Sequence, residues 1–184
     1  MSERICVFCG SNSGKSKIFK ETAVALGRLI ASEKMELVYG GGKAGLMGSI
    51  ADSVLENGGK VTGVIPEFLK KRELCHTGLS ELIITGTMHA RKNKMYELSD
   101  YFLVLPGGIG TLDEFAETLT WSQLSIHRKP CALLNVNGYY DSLLRFLDNM
   151  VDQNFFEKES REYLITGVCP EEILKKFRNF GKLP

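Results

Sequence analysis

The sequence predicts an α/β fold, a parallel β-sheet wrapped by helices. Short apolar runs alternate with amphipathic stretches along the chain, which is the pattern of strands joined by helical crossovers. The amphipathic stretches repeat at a helical period. Between 18 and 32, Ile18, Phe19, Thr22, Ala23, Leu26, Leu29 and Ile30 fall close to the spacing of one helix face. Three of the strand-to-helix junctions are rich in glycine. In open α/β sheets ligands sit beyond the carboxyl ends of the strands, so those junctions are where function is expected.

Strands are expected at 5–8, 37–39, 60–65, 82–84, 101–105 and 132–135, with a short edge strand near Leu164. Helices are expected at 18–32, 46–56, 91–98, 112–123, 140–153 and 171–179. The segment 112–123 places Leu112, Phe115, Ala116 and Leu119 on one face. Asn57-Gly58-Gly59 ends a helix, because glycine tolerates the left-handed cap. Lys129-Pro130 precedes a strand, since the residue before proline favours extended backbone. The 184 residues suit a single domain, and no repeat, low-complexity tract or linker interrupts them.

The formal net charge is +1, so no broad field recruits nucleic acid or a membrane surface. Any anion site must be local, built from a few side chains and backbone N–H groups. No apolar run approaches the ~20 residues of a membrane span, and the start of the chain lacks the apolar segment of a secretory signal. A cytoplasmic location is expected. The five cysteines are scattered. Cys6 and Cys9 form a C-x-x-C, but within a strand and without a second such pair, and His76, His89 and His127 are dispersed. No zinc site is expected, and the cysteines read as reduced, mostly buried thiols.

The first glycine loop, CGSNSGKS at 9–16, is one residue short of a Walker A motif, with Cys9 where the first glycine belongs. No later strand ends in the acid that would hold magnesium. The loop is a polar turn, a phosphate loop, or a wall of the pocket through Gly10 and Ser11; the last is preferred. The second loop, YGGGKAGLMG at 39–48, satisfies G-x-G-x-x-G with Gly40, Gly42 and Gly45. Such glycines let the backbone approach a phosphate at a helix N-terminus. A dinucleotide fold wants an acid after the next strand, and Glu67 is a poor candidate.

The third loop, LPGGIGTLDEF at 105–115, forms a glycine collar from Gly107, Gly108 and Gly110, after which Thr111 opens a helix. Backbone N–H groups and the Thr111 hydroxyl would cradle a phosphate. Thr111 and Glu114 also have the spacing of a capping box, and by spacing alone Glu114 folds back onto its own helix start. Upstream, Arg91, Lys92 and Lys94 cluster where a helix is expected to begin. Cations there oppose the helix dipole, so the cluster is either a solvated basic surface or a functional site.

Taken together these residues resemble the LOG family, the cytokinin riboside 5′-monophosphate phosphoribohydrolases, many of which carry the label "possible lysine decarboxylase". The family pattern P-G-G-x-G-T-x-x-E is met by Pro106, Gly107, Gly108, Gly110, Thr111 and Glu114, and M-H-x-R-K by Met88, His89, Arg91 and Lys92. The glycine run before L-M-G, V-I-P at 64–66, T-W-x-Q-L at 120–124 and L-L-N-V-x-G-Y-Y at 133–140 also match. The resemblance runs from the first strand to about residue 155.

The resemblance implies a Rossmann-like open parallel sheet with helices on both faces. It implies a homodimer acting on a nucleoside 5′-monophosphate such as AMP or its N6-prenylated forms, without metal or cofactor. Arg91 and Glu114 would be the catalytic pair. Lys92, the collar 107–111, Glu73 and Thr120 would contact the nucleotide, with Gly10, Ser11, Gly41, Gly42 and Gly45 lining the pocket. A decarboxylase would need a pyridoxal phosphate lysine, for which no candidate stands out. The rival readings are a non-catalytic nucleotide sensor or carrier of the same fold, a P-loop NTPase, and an NAD-dependent enzyme.

Overall fold

The computed structural model of the chain describes residues 2–70 and 75–180. Its elements run β1 (Arg4–Phe8), α1 (Lys17–Ser32), β2 (Glu36–Tyr39), α2 (Gly45–Glu56), β3 (Lys60–Pro66), α3 (Glu67–Lys70), β4 (Glu81–Thr85), α4 (Met88–Leu98), β5 (Tyr101–Val104), α5 (Ile109–Gln123), β6 (Cys131–Leu134), α6 (Asp141–Asp152), α7 (Lys158–Tyr163), β7 (Ile165–Gly167) and α8 (Pro170–Asn179). A short 3-10 turn, Val136–Gly138, follows β6.

The strands form one seven-stranded sheet in the order β4-β3-β2-β1-β5-β6-β7, and every pairing is parallel. This is the expected α/β architecture. The chain starts in the middle, winds outward to β4, then returns to the other side of β1 with β5. The order therefore reverses between β1 and β5, and their carboxyl ends open a crevice at the switch point.

Successive strand residues point to opposite faces, and the sheet sorts its core accordingly. Ile5, Val7, Leu37 and Leu103 face α1, α2 and α8, where Leu26, Ile30, Ile50 and Phe177 pack. Cys6, Phe8, Val38, Phe102 and Val104 face α4, α5 and α6, where Met95, Tyr96, Phe115 and Leu147 pack. Helices thus cover both faces. All five cysteines are free, with Cys6, Cys9 and Cys131 buried. Among the described residues no helix is long and apolar enough to cross a membrane.

Two helix starts differ from expectation. Helix α4 begins at Met88, where the Thr87 side chain caps it by accepting from the Ala90 N–H at 3.1 Å. Arg91 therefore stands one turn inside the helix. Helix α5 begins at Ile109 with Gly108 as its cap, so Thr111 is already helical and does not open the helix. The short helices α3 and α7 were not expected; one turn or so of chain is too little for periodicity to register. After α2, Gly58 takes φ +75, and the N–H groups of Gly58 and Gly59 return to Leu55 and Val54, the glycine cap expected there.

Helices α1 and α2 meet at Gly27. A Cβ there would lie 2.7 Å from the Ser53 Cβ and 2.9 Å from the Ile50 carbonyl oxygen, while the Ser53 hydroxyl donates to the Val24 carbonyl at 2.7 Å. Gly27→Val should push the helices apart and destabilise the fold by about 1–3 kcal/mol. Denaturant unfolding checks this; an unchanged midpoint would show that the two helices have room for the side chain.

Candidate active site

A cavity of about 240 Å³ opens at the switch point, lined by Phe8, Cys9, Gly10 and Ser11 from β1 and its loop, Gly40 after β2, Arg91 and Met95 on α4, and Gly108, Gly110, Thr111 and Glu114 of α5. At its floor, Arg91 Nη1 lies 3.2 Å from Glu114 Oε1, and each side chain is only 9% exposed. Arg91 Nε donates to the Val64 carbonyl at 3.0 Å. Nη2 occupies the space beside Gly40, where a Cβ would collide with it. The guanidinium is therefore held from β3, from the turn after β2, and from α5.

This geometry decides between the readings the sequence left open. Glu114 does not fold back to cap its helix; it lies in the second turn of α5 and pairs with Arg91. Arg91 and Lys92 are buried, so the solvated-surface reading fails for both. It fits only Lys94, a partly exposed residue paired with Glu97 at 3.3 Å. Lys92 points away from the cavity. Its Nζ lies 3.1 Å from Asp113 and 3.2 Å from Glu117, a second ion-pair bridge between α4 and α5. Burial pulls the Lys92 pKa down, but hydrogen bonds to Asp113 and Glu117 outweigh it and leave the pKa raised.

The helix starts at the three loops are not equivalent. The Gly10 carbonyl accepts the N–H groups of Leu46 and Met47, so the N-terminus of α2 is occupied by the protein's own backbone. That removes the phosphate site a dinucleotide fold would use. Helix α1 begins only at Lys17, so Gly14, Lys15 and Ser16 precede the helix instead of opening it, unlike a phosphate loop. Helix α5 starts at Gly108 with no side-chain cap, and its first turn lines the cavity. The first N–H groups of a helix have no partner within it, so this turn presents donors and a partial positive charge to the cavity.

The expected glycines divide accordingly. Gly10, Gly108 and Gly110 line the cavity with Ser11 and Thr111. Gly107 lines an adjoining hollow with Asn12, Phe19 and Tyr139, and a Cβ there would collide with the Thr111 hydroxyl. Gly41, Gly42 and Gly45 do not line the cavity. Gly41 packs on Ile65, a Cβ at Gly45 would collide with the Ser11–Asn12 backbone, and Gly42 bridges to Cys75. Thr120 lies on the exposed side of α5 and donates to the Ala116 carbonyl at 2.8 Å. Glu73 lies outside the described residues.

Several contributors had no role assigned from sequence. Gly40 was visible only as the first glycine of a common motif. Tyr139 and Tyr140 donate from their hydroxyls to the carbonyls of Gly107 at 2.6 Å and Leu105 at 2.7 Å, fixing the collar from the junction between β6 and α6. Burial holds the Tyr140 phenol well above its usual range, which keeps it a donor. Burial, and then the Glu114 charge, push the Cys9 thiol up, so it stays a neutral thiol and not a nucleophilic thiolate. Among the described residues no three His, Cys, Asp or Glu side chains gather to hold a metal ion.

Comparison with known proteins places the chain in a family. The family model described as "Possible lysine decarboxylase" matches residues 47–177. Over 97% of its length the chain is 45% identical to the cytokinin riboside 5′-monophosphate phosphoribohydrolase LOG3 of Arabidopsis thaliana, covering 83% of that protein. It is 46% identical to the probable enzyme of the same name, LOGL1, of Oryza sativa subsp. japonica, covering 97% of this chain and 80% of that one. Among solved structures, the molybdenum cofactor binding protein of Rippkaea orientalis superposes with a TM-score of 0.72 at 24% identity, covering 97% of both chains. The molybdenum cofactor carrier protein of Chlamydomonas reinhardtii gives 0.74 at 20% identity, covering 98% of both. At such identities these two show the shared fold alone. The relatives at about 45% identity are named as phosphoribohydrolases and not as decarboxylases, and the chain belongs to the cytokinin riboside 5′-monophosphate phosphoribohydrolase (LOG) family, within the group described as possible lysine decarboxylases.

Proposed function

We propose that the chain hydrolyses the N-glycosidic bond of a nucleoside 5′-monophosphate, AMP or an N6-modified AMP, to free base and ribose 5-phosphate. The observation that carries this reading is the Arg91–Glu114 pair, buried at the floor of a cavity whose wall is the open start of α5. The 5′-phosphate rests on the first turn of α5. Glu114 stands five residues beyond Ile109, about 7.5 Å along the axis, comparable with the reach of a ribose from its phosphate to its anomeric carbon.

Breaking the glycosidic bond builds positive charge on the ribose ring. The Glu114 carboxylate stabilises that charge and orients or deprotonates the attacking water. Arg91 fixes the carboxylate, and its charge faces the electrons that accumulate on the departing base. Gripping the phosphate selects nucleotides over nucleosides. A non-catalytic carrier would need the phosphate end of the cavity but not an ion pair aimed at the sugar, and release of free base from AMP separates the two readings.

The homodimer expected of the family belongs to the same reading. Ile109, Leu112 and Leu124 stand exposed along α5 and just beyond it, and a second copy of the chain would cover them. Sedimentation tests this, and a fully active monomer would contradict it. The free cysteines support a cytoplasmic location.

Glu114→Gln keeps the shape of the side chain and removes its charge. It should still bind AMP and turn over at least about 100-fold more slowly; near-normal release of adenine would refute the role of the acid. Arg91→Ala should abolish turnover, and it should also lower stability by about 3–5 kcal/mol, because it leaves a buried carboxylate without its cation. Unchanged kinetics would return Arg91 to a structural role. Gly40→Ala replaces neither catalytic side chain, yet its Cβ should collide with the guanidinium, displace it and cost about 100-fold in kcat. Equal activity of Gly40→Ala and the native protein would show that the seat is not needed.

A further inference from the structure

His76 lies outside the cavity yet is buried, and its hydrogen-bonding groups are committed to three different segments. Nε2 lies 2.8 Å from Asp52 Oδ1 on α2. Nδ1 accepts the Gly78 N–H at 3.1 Å, so the ring proton sits on Nε2 and is donated to Asp52. The His76 backbone N–H donates to the Gly41 carbonyl at 3.1 Å, and the neighbouring Cys75 forms an antiparallel bridge with Gly42.

What these contacts pin is the turn after β2. Gly41 there has φ +78, a left-handed conformation, and its neighbour Gly40 forms the wall beside Arg91 Nη2. The other side of the turn is held by α2, whose start is tied to Gly10. Asp52 itself is 52% exposed. A carboxylate so placed adds little to the core, and a pair open to water on one side adds little to stability. Its contact with a fully committed, buried imidazole is better accounted for by placement than by packing.

We propose that His76 and Asp52 are a positioning pair for the catalytic arginine: they hold the Gly41–Gly42 turn closed against α2 and so fix the wall on which the Arg91 guanidinium is seated opposite Glu114. The catalytic half of this statement rests on the function proposed above; the structural half does not.

The test uses Asp52→Ala and Asp52→Asn in the full chain, with two independent readouts. The first is hydrogen exchange of the His76 amide and of the Arg91 Nε–H, followed by NMR. Both should exchange at least about tenfold faster in Asp52→Ala, with the β1 amides unchanged, and Asp52→Asn, which keeps an acceptor for Nε2–H, should restore them. The second is steady-state release of base from AMP. Asp52→Ala should lower kcat at least about tenfold with KM within about twofold, because the phosphate grip on α5 is untouched, and Asp52→Asn should recover most of the loss. Unchanged exchange at His76 and Arg91 overturns the proposal, and so does faster exchange with unaltered kcat. If the native protein releases no base from any nucleoside monophosphate, the functional reading fails on that result alone, and the Arg91 Nε–H exchange still decides whether the pair positions the guanidinium.

Discussion

The site depends on one constraint: a guanidinium and a carboxylate, each about nine-tenths buried, must stay charged side by side. Desolvating each ion costs several kcal/mol, and their attraction offsets this only when geometry is good and the remaining donors are satisfied. The protein meets that condition from four elements. Strand β3 presents the Val64 carbonyl to Nε, the turn after β2 leaves room for Nη2 at Gly40, and α4 and α5 bring the two side chains together. Well-packed apolar residues of the same volume would generally be as stable. The pair therefore makes more sense as part of a site at the floor of a cavity than as a device for holding the fold.

The sheet order explains why these elements meet. Helices α4 and α5 flank β5 in sequence and cover the same face of the sheet. Because β5 pairs with β1 at the point where the order reverses, both helices border the crevice. A single ion pair would leave their relative slide loosely set. The neighbouring residues supply a second bridge, with Lys92 between Asp113 and Glu117. Two adjacent pairs, Arg91 to Glu114 and Lys92 to Asp113, fix the register of one helix on the other. Only the first opens to the cavity.

The fold class, the strand positions and most helices were legible because they rest on periodicity that survives in any tertiary setting. The long motifs also singled out Arg91 and Glu114, which the fold pairs in the cavity. What failed were inferences from local rules. Thr111 to Glu114 has the spacing of a capping box, but the helix starts earlier, at a glycine, and tertiary pairing captures the acid. Arg91 was read as a helix-start cation because the true cap, Thr87, lies beyond a Met-His-Ala stretch with weak amphipathicity. Gly40 could not be told from its neighbours, since the reason for its missing side chain is a guanidinium about fifty residues away in the chain.

Most instructive is the choice among three glycine-rich junctions, each of which could have been an anion site by sequence. The fold uses the first to close the second: the Gly10 carbonyl takes two N–H groups at the start of α2, and Gly45 packs on the Ser11–Asn12 backbone. Only the third keeps an open helix start. Two acids, Asp113 and Glu114, follow closely on this helix start. Asp113 is neutralised by Lys92 on the far side of α5 and Glu114 by Arg91 within the cavity. The positive end of α5 faces the cavity, and Glu114 sits about a turn and a half deeper. In the proposed reaction, phosphate recognition and charge stabilisation at the sugar are two positions along one helix, and the distance between them is set by helical rise and not by loop conformation.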